Sequence, residues 1–230
     1  MQKQEKIVQM FNEIAPSYDK ANKILSFGID SQWRKFSVDK IKEYLNFNNE
    51  LKVVDVACGT GDMCYLLKEI SNAKVIGVDP SVGMLDIAKK RFNDVEFKVG
   101  YANKLPFEDC SIDLITISYG FRNVVEKDEA LKEFYRVLKP NANLLILEFF
   151  RRENNGFIAK CRDFYLKKIL PIIGGILSKN KAAYEYLPNS IDEFYSNDEF
   201  KHKLNEKSFK LEFFKSFSYG VCSLFIARKV

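Results

Sequence analysis

The stretch Val53–Asp62, VVDVACGTGD, decides how this chain is read. A short apolar run ends in a turn holding Gly59 and Gly61, and the segment GDMCYLLKEI that follows has helical spacing from about Asp62. Strand, glycine turn and helix open a βαβ unit, with the helix N-terminus pointing into the turn. The two glycines let the backbone approach a ligand closely and adopt conformations other residues avoid. A dinucleotide fold would show GxGxxG, and no third glycine completes that pattern here. Asp55 and Asp62 flank the turn and would repel a phosphate. They suit a cationic ligand, or one carrying an amino group and hydroxyls.

The next strand-like run, AKVIGVD, ends in Asp79, roughly 20 residues beyond the turn. A carboxylate there is placed to accept from both ribose hydroxyls of a nucleoside. Its other reading is a cap for the helix that starts at Ser81. Together the features indicate a nucleoside without a pyrophosphate. They match S-adenosylmethionine, whose sulfonium and α-amino groups are both cationic.

Outward from this point the same alternation continues. VEFKVG, SIDLITISYG and ANLLILEFF read as strands. PSVGMLDIAKKRF reads as a helix capped by Ser81, and KDEALKEFYRVLK as one stopped by Pro140. Such alternation predicts an α/β chain with a mostly parallel sheet. The final run, FKLEFFKSFSYGVCSLFIARKV, reads as two strands about a turn near Gly220, a hairpin added to one edge and bringing the sheet to seven strands. Before Leu51, KIVQMFNEI and SQWRKFSVDKIKEYL have helical periodicity, the second with Asp30 or Ser31 as cap. The organisation expected is one domain over 1–230. It divides into an N-terminal helical cap (1–49), a cofactor-binding core (50–150), a helical insertion or lid (151–197) and a C-terminal helix with hairpin (198–230).

In the insertion, eight basic residues from Arg151 to Lys181 are interleaved with apolar ones, opposed only by Glu153 and Asp163. An amphipathic basic segment can lie on a membrane surface or cover a greasy ligand. It can equally be an ordinary lid with a solvated basic face. No apolar run reaches the roughly 18 residues of a membrane span, and the N-terminus shows no signal-peptide core. Peripheral contact is the membrane role left open. Five scattered cysteines with no CxxC pair, and the single His202 in a charged stretch, argue against a zinc site and for reduced thiols in a cytosolic protein. A net charge of +5 without a compact basic run argues against a nucleic-acid face. Twenty Phe and eleven Tyr read first as core.

SYGFRN falls at the C-terminal end of the fourth strand, where ligands of open α/β sheets bind. Ser118, Tyr119, Arg122 and Asn123 form a polar cluster suited to an acceptor substrate. Alternatively Arg122 pairs with a nearby carboxylate and Asn123 caps the helix near Glu126–Asp128.

Over nearly its full length the chain resembles the ubiquinone/menaquinone biosynthesis C-methyltransferase family. The resemblance is carried by MFNEIAPSYDKANKILSFGIDSQWRK, VVDVACGTGD, LPFEDCSIDLITISYGFRNV, EFYRVLKPNANLLILEF and YEYLPNSIDEF. The N-terminal signature and SYGFRN are its most specific parts. It implies a Rossmann-like class I methyltransferase fold and S-adenosylmethionine-dependent methylation of a ring carbon of a polyprenylated quinol, demethylmenaquinol or a benzoquinol. It also implies that Thr60, Asp79, Ala102 and Ser118 surround the methyl donor, joining Asp55, Gly59 and Gly61 of the turn. Tyr101 stands where the family more usually has an acidic or amide residue, and its ring or backbone is the expected adenine contact. The KPGG turn of the family reads KPNAN here.

In the chemistry expected, no metal takes part. Arg122, always protonated, stabilises a developing phenolate. Asn123 orients the hydroxyl or a water, and Tyr18, matching a family tyrosine, faces the substrate. The other readings are a methyltransferase for another small lipid or phenol, a non-catalytic S-adenosylmethionine-binding scaffold, and a nicotinamide oxidoreductase. The expected setting is cytoplasmic, at the inner face of the membrane, with a homodimer left open.

Overall fold

A computed structural model describes residues 2–151 and 181–230. Its centre is a seven-stranded sheet in the order β3-β2-β1-β4-β5-β7-β6. β1 (Leu51–Val56), β2 (Ala73–Asp79), β3 (Glu96–Val99), β4 (Ile112–Ser118) and β5 (Leu138–Glu148) run parallel. β6 (Phe209–Phe217) and β7 (Cys222–Lys229) form the predicted hairpin, with β7 antiparallel to β5 and β6 at the edge. The strand order reverses between β1 and β4, so the crevice of the fold opens beyond the ends of those strands.

β1 and β4 are almost wholly buried because helices cover both faces. On one face α5 (Lys127–Val137) and α7 (Asn197–Glu206) pack Leu131, Phe134 and Phe200 against Ile115, Ile117 and Phe225. On the other, α2 (Ile29–Ile41), α3 (Asp62–Leu67) and α4 (Val82–Arg91) supply Val38, Met63, Leu67 and Leu85. Phe121, Phe134, Phe150, Phe194, Phe200, Phe209 and Phe225 are fully buried, so much of the aromatic content is core. A third cluster joins α1 (Gln2–Leu25) through Ile14, Ala15 and Leu25 to Met84 of α4 and to Ala183 and Leu187 of α6 (Lys181–Asp192). This seats α1 across the crevice.

Ser81 caps α4 as expected, accepting from the Met84 amide. Two local expectations are corrected. α2 begins at Ile29 with Gly28 (φ 72) as its N-cap, so neither Asp30 nor Ser31 is the cap. Asp30 instead accepts from Ser26 Oγ and pairs with Arg34, while Ser31 Oγ donates back to the Gly28 carbonyl at 2.7 Å. Nor does Pro140 stop α5: the helix ends at Val137 and the chain enters β5 directly. Pro140 falls where the β4–β5 register shifts, between the Leu138 and Asn143 pairings, a position where its missing N–H is tolerated.

Most of the predicted insertion, residues 152–180 with its basic-apolar stretch, lies outside the described residues. Among the described residues no helix is long and apolar enough to cross a membrane, and no group of His, Cys, Asp or Glu is set to hold a metal. His202 is exposed on α7.

Candidate active site

The glycine turn after β1 bends through left-handed conformations at Ala57 (φ 52), Gly59 (φ 55) and Gly61 (φ 89). Gly59 has open space where a Cβ would stand, whereas a Cβ on Gly61 would meet the Phe92 ring at 2.9 Å. The first glycine leaves room for a ligand, and the second lets α3 start close to α4. Beside the turn lies a cleft. Gly59, Asp79, Tyr101, Ala102, Ser118 and Asn123 line its sheet side, and Gln4, Ile7, Val8, Phe11 and Tyr18 of α1 close it from above.

Asp79 is the charged centre of this cleft. Its Oδ2 accepts from the Gly59 N–H at 2.9 Å and its Oδ1 from the Ser81 N–H at 2.8 Å. Burial raises its carboxyl to about 6, the two amide donors opposing the rise. Each carboxylate oxygen keeps a further lone pair for a ligand donor. Asn123 adds a second polar feature: Nδ2 donates to the Tyr119 carbonyl at 3.4 Å, while Oδ1 is buried with no partner among the described residues. An orphaned buried acceptor lining a cleft is a place for a ligand N–H or O–H. Tyr101 is 40% exposed at the rim, and Ala102 is buried against the core.

Three residues predicted around the donor do not line this cleft. Asp55 is buried inside the sheet, accepting from Thr116 Oγ1 at 2.6 Å and Cys64 Sγ at 3.5 Å. Burial raises its carboxyl to about 7. Thr60 turns its hydroxyl to Asp19 Oδ1 at 2.6 Å, and Arg91 ties the Thr60 carbonyl, Asp19 and Asp62 together. Gly61 serves the start of α3.

A second, more apolar cleft adjoins the first. Leu25, Ile29, Trp33, Phe149, Leu187 and Ile191 supply its walls, and Asn22, Asp30, Arg34 and Arg122 its polar points. Tyr18 and Tyr119 line both clefts and mark where they meet. Burial raises the Tyr18 hydroxyl, against the opposing pull of the Arg122 and Arg34 charges. Arg122 donates from Nη1 to Glu148 Oε1 at 2.8 Å and to the Tyr119 carbonyl, and from Nε to Ser190 Oγ at 3.3 Å. The pairing of Arg122 with a carboxylate, read as an alternative to a substrate role, is therefore present, yet the residue still lines the apolar cleft. The cap role for Asn123 is not: α5 has Glu126 as N-cap and no side-chain cap bond.

The structure adds detail to the predicted Tyr119 and brings in residues to which sequence reasoning gave no role in the site. Tyr119 is held at φ 58, its ring stacked on Phe149 at 4.9 Å with the Arg34 guanidinium 4.8 Å from its centroid. Backbone in this region is uncommon for an aromatic residue and clusters at functional sites. Asp30 and Arg34, paired along α2, bring a carboxylate and a guanidinium to the apolar cleft. Their i,i+4 spacing was a signal available in the sequence. Asn12 fastens α1 to α4, accepting from Ser81 Oγ at 2.7 Å and the Gly83 N–H at 2.9 Å. No local pattern announces that contact.

With this geometry in hand, comparison with known proteins is informative. The model of the ubiE/COQ5 methyltransferase family matches residues 1–229. A ubiquinone/menaquinone biosynthesis C-methyltransferase UbiE of Campylobacter jejuni subsp. jejuni is 55% identical over 238 residues, covering all of both chains. A demethylmenaquinone methyltransferase of Thermotoga maritima is 41% identical over 220 residues, 95% of this chain and 94% of that one. Among solved structures, a SAM-dependent methyltransferase from Aquifex aeolicus aligns with a TM-score of 0.62 at 20% identity, covering 91% of this chain and 98% of the other. One from Methanosarcina mazei aligns at 0.61 and 22% identity, covering 83% and 97%. The structures bear out the predicted Rossmann-like class I fold, and the chain belongs to the ubiE/COQ5 methyltransferase family.

Proposed function

We propose that the two adjoining clefts hold S-adenosylmethionine and a polyprenylated quinol, and that the chain methylates the quinol ring carbon in respiratory quinone biosynthesis. The observation that carries this reading is the junction itself. A cleft built around Asp79 and a more apolar cleft share Tyr18 and Tyr119, so a donor in one faces an acceptor in the other. S-adenosylmethionine, when bound, supplies an activated methyl group on a sulfonium. Asp79 would take the ribose hydroxyls, Tyr101 and Ala102 the adenine edge, and Asn123 Oδ1 a donor group of the ligand.

The chain's own residues must then make the ring carbon nucleophilic. A quinol hydroxyl has an ordinary pKa near ~10, like a phenol, so sharing or losing its proton pushes electron density onto the ring. Arg122 and Arg34, both at the apolar cleft, favour negative charge on that oxygen. Glu148 and Asp30 already pair with them, which holds the guanidinium groups in place. Asp30 is the one carboxylate among the described residues lining the apolar cleft, so it is the candidate proton acceptor, directly or through a water. Tyr18 orients the hydroxyl. No metal is called on, and holding donor and acceptor together supplies much of the acceleration. The expected setting is the inner face of the cytoplasmic membrane.

The test is incubation with labelled S-adenosylmethionine and each reduced demethylquinone, benzoquinol and naphthoquinol, with the product identified by mass. Methyl transfer to ring carbon is expected. Transfer only to oxygen, or none with either quinol while the donor binds, would overturn the assignment. Arg122→Ala is expected to keep donor affinity and lower turnover by roughly a hundredfold.

A further inference from the structure

Two turns stand out on the surface. Phe27, between α1 and α2, is 79% exposed, and Tyr219, between β6 and β7, is 84% exposed, the two most exposed large apolar side chains of the described residues. Both sit on left-handed backbone, at φ 53 and φ 56. That conformation is unfavourable for a bulky side chain and persists only where the surroundings enforce it. The surroundings do: Gly28 N–H donates to the Lys23 carbonyl and to Ser26 Oγ, and Val221 N–H to the Phe217 carbonyl. Phe217 in turn stacks on Trp33 at 5.7 Å, tying the second turn to α2. Both turns border the apolar cleft, Phe27 and Ile29 of the first and Ser218 and Val221 of the second being among its lining.

We infer that these two turns are docking tips for an anionic lipid bilayer, through which the cleft receives its prenyl-tailed substrate; the inference rests on the quinol reading above. Charge selects the partner. Between Lys20 and Val38 the exposed charges are Lys20, Lys23 and Lys35, since Asp30 and Arg34 pair with each other. Lys20, Lys23 and Ile24 are exposed on the last turns of α1, just before the Phe27 tip. The second tip contributes Lys215 and has no acidic residue from Phe213 to Ser223. A symmetric contact with a second copy would set this positive surface against itself. An anionic leaflet attracts it, and the aromatic tips enter the headgroup boundary. The cleft behind the tips is walled by apolar side chains, so a tail can pass from the bilayer without crossing water.

The test uses the full chain and vesicle flotation without substrate, so the surface stands or falls independently of the acceptor's identity. Wild type is expected to float with vesicles of phosphatidylcholine mixed with phosphatidylglycerol, poorly with phosphatidylcholine alone, and less as salt rises. Phe27→Ser and Tyr219→Ser should each lower the partition coefficient by roughly tenfold, and Lys20→Glu with Lys23→Glu by roughly tenfold or more. Tyr219→Ser should methylate a short-tailed, water-soluble quinol at the wild-type rate, which separates docking from folding. The inference is overturned if wild type does not float, or if the variants float as well as wild type. It is equally overturned if light scattering shows a dimer that Tyr219→Ser dissociates while flotation stays unchanged.

Discussion

Donor binding should follow the titration of Asp79. Its carboxyl is raised to about 6 because burial disfavours the charge. Only the ionised form offers both oxygens as acceptors to a pair of ribose hydroxyls; the protonated form turns one into a donor. At about pH 5, one unit below that value, roughly a tenth of the sites are ionised. Affinity should then be about tenfold weaker than at about pH 7, a loss of about 1.4 kcal/mol. Binding that selects the carboxylate must release the proton it displaces, close to one per site at about pH 5. The α-amino group of the donor, with an ordinary value of about 7.7–8.0, stays protonated over most of this range. Isothermal titration calorimetry in two buffers of different ionisation heat reads both quantities at once. Asp79→Asn should bind more weakly, by on the order of a hundredfold, with a flat profile, since one charge-assisted acceptor contributes roughly 1.5–3 kcal/mol. Asp55 also titrates high but does not line the cleft, so Asp55→Asn should preserve the wild-type profile of binding. Equal affinity at the two pH values, with no proton released, would refute the placement of the ribose on Asp79.

The remaining predictions concern the supports of the site. Asp55 rises from 3.8 unfolded to about 7 folded, so the native state binds the extra proton between those values. Its contribution is fully present below about 3.8 and is lost as pH rises through about 7. The full effect is on the order of 4 kcal/mol, and Asp55→Asn should flatten this part of the stability profile in urea melts. Glu148→Ala strands the Arg122 guanidinium, 8% exposed against a fully buried partner, and should cost about 3–5 kcal/mol by the same measurement; a loss below about 1 kcal/mol would mean the arginine finds water. Asp19→Ala frees α1 from Thr60 and Arg91, and stopped-flow should show donor dissociation faster by roughly tenfold with turnover at saturation little changed. Unchanged dissociation would show that this latch does not hold the helix over the donor.

The parallel sheet was legible because its strands are continuous apolar runs and its helices have a different period. The glycine turn and Asp79 were legible because they lie next to each other in that pattern, at strand ends whose position follows from the topology. The failures have physical causes too. Pro140 reads as a helix stop on local chemistry, yet a register shift between β4 and β5 gives it a place inside a strand. Asp30 reads as a cap, yet Gly28 in the left-handed region starts α2 two residues earlier and leaves the carboxylate free to reach Arg34. Asp55 and Asp62 read alike as guards of the turn. Strand direction separates them, sending Asp55 inward to Thr116 and leaving Asp62 outside with Arg91.

What the sequence determined by itself was therefore the layered α/β architecture, the nucleoside-binding edge and, through the resemblance of two motifs, the class of reaction. These depend on periodicity and on residues close together along the chain. The division of labour among charged groups came only from the tertiary structure. Contacts such as Thr60–Asp19, 41 residues apart, and Ser81–Asn12, 69 apart, have no local signature. They exist because α1 closes over the crevice, and that closure brings Tyr18 to the border of both clefts.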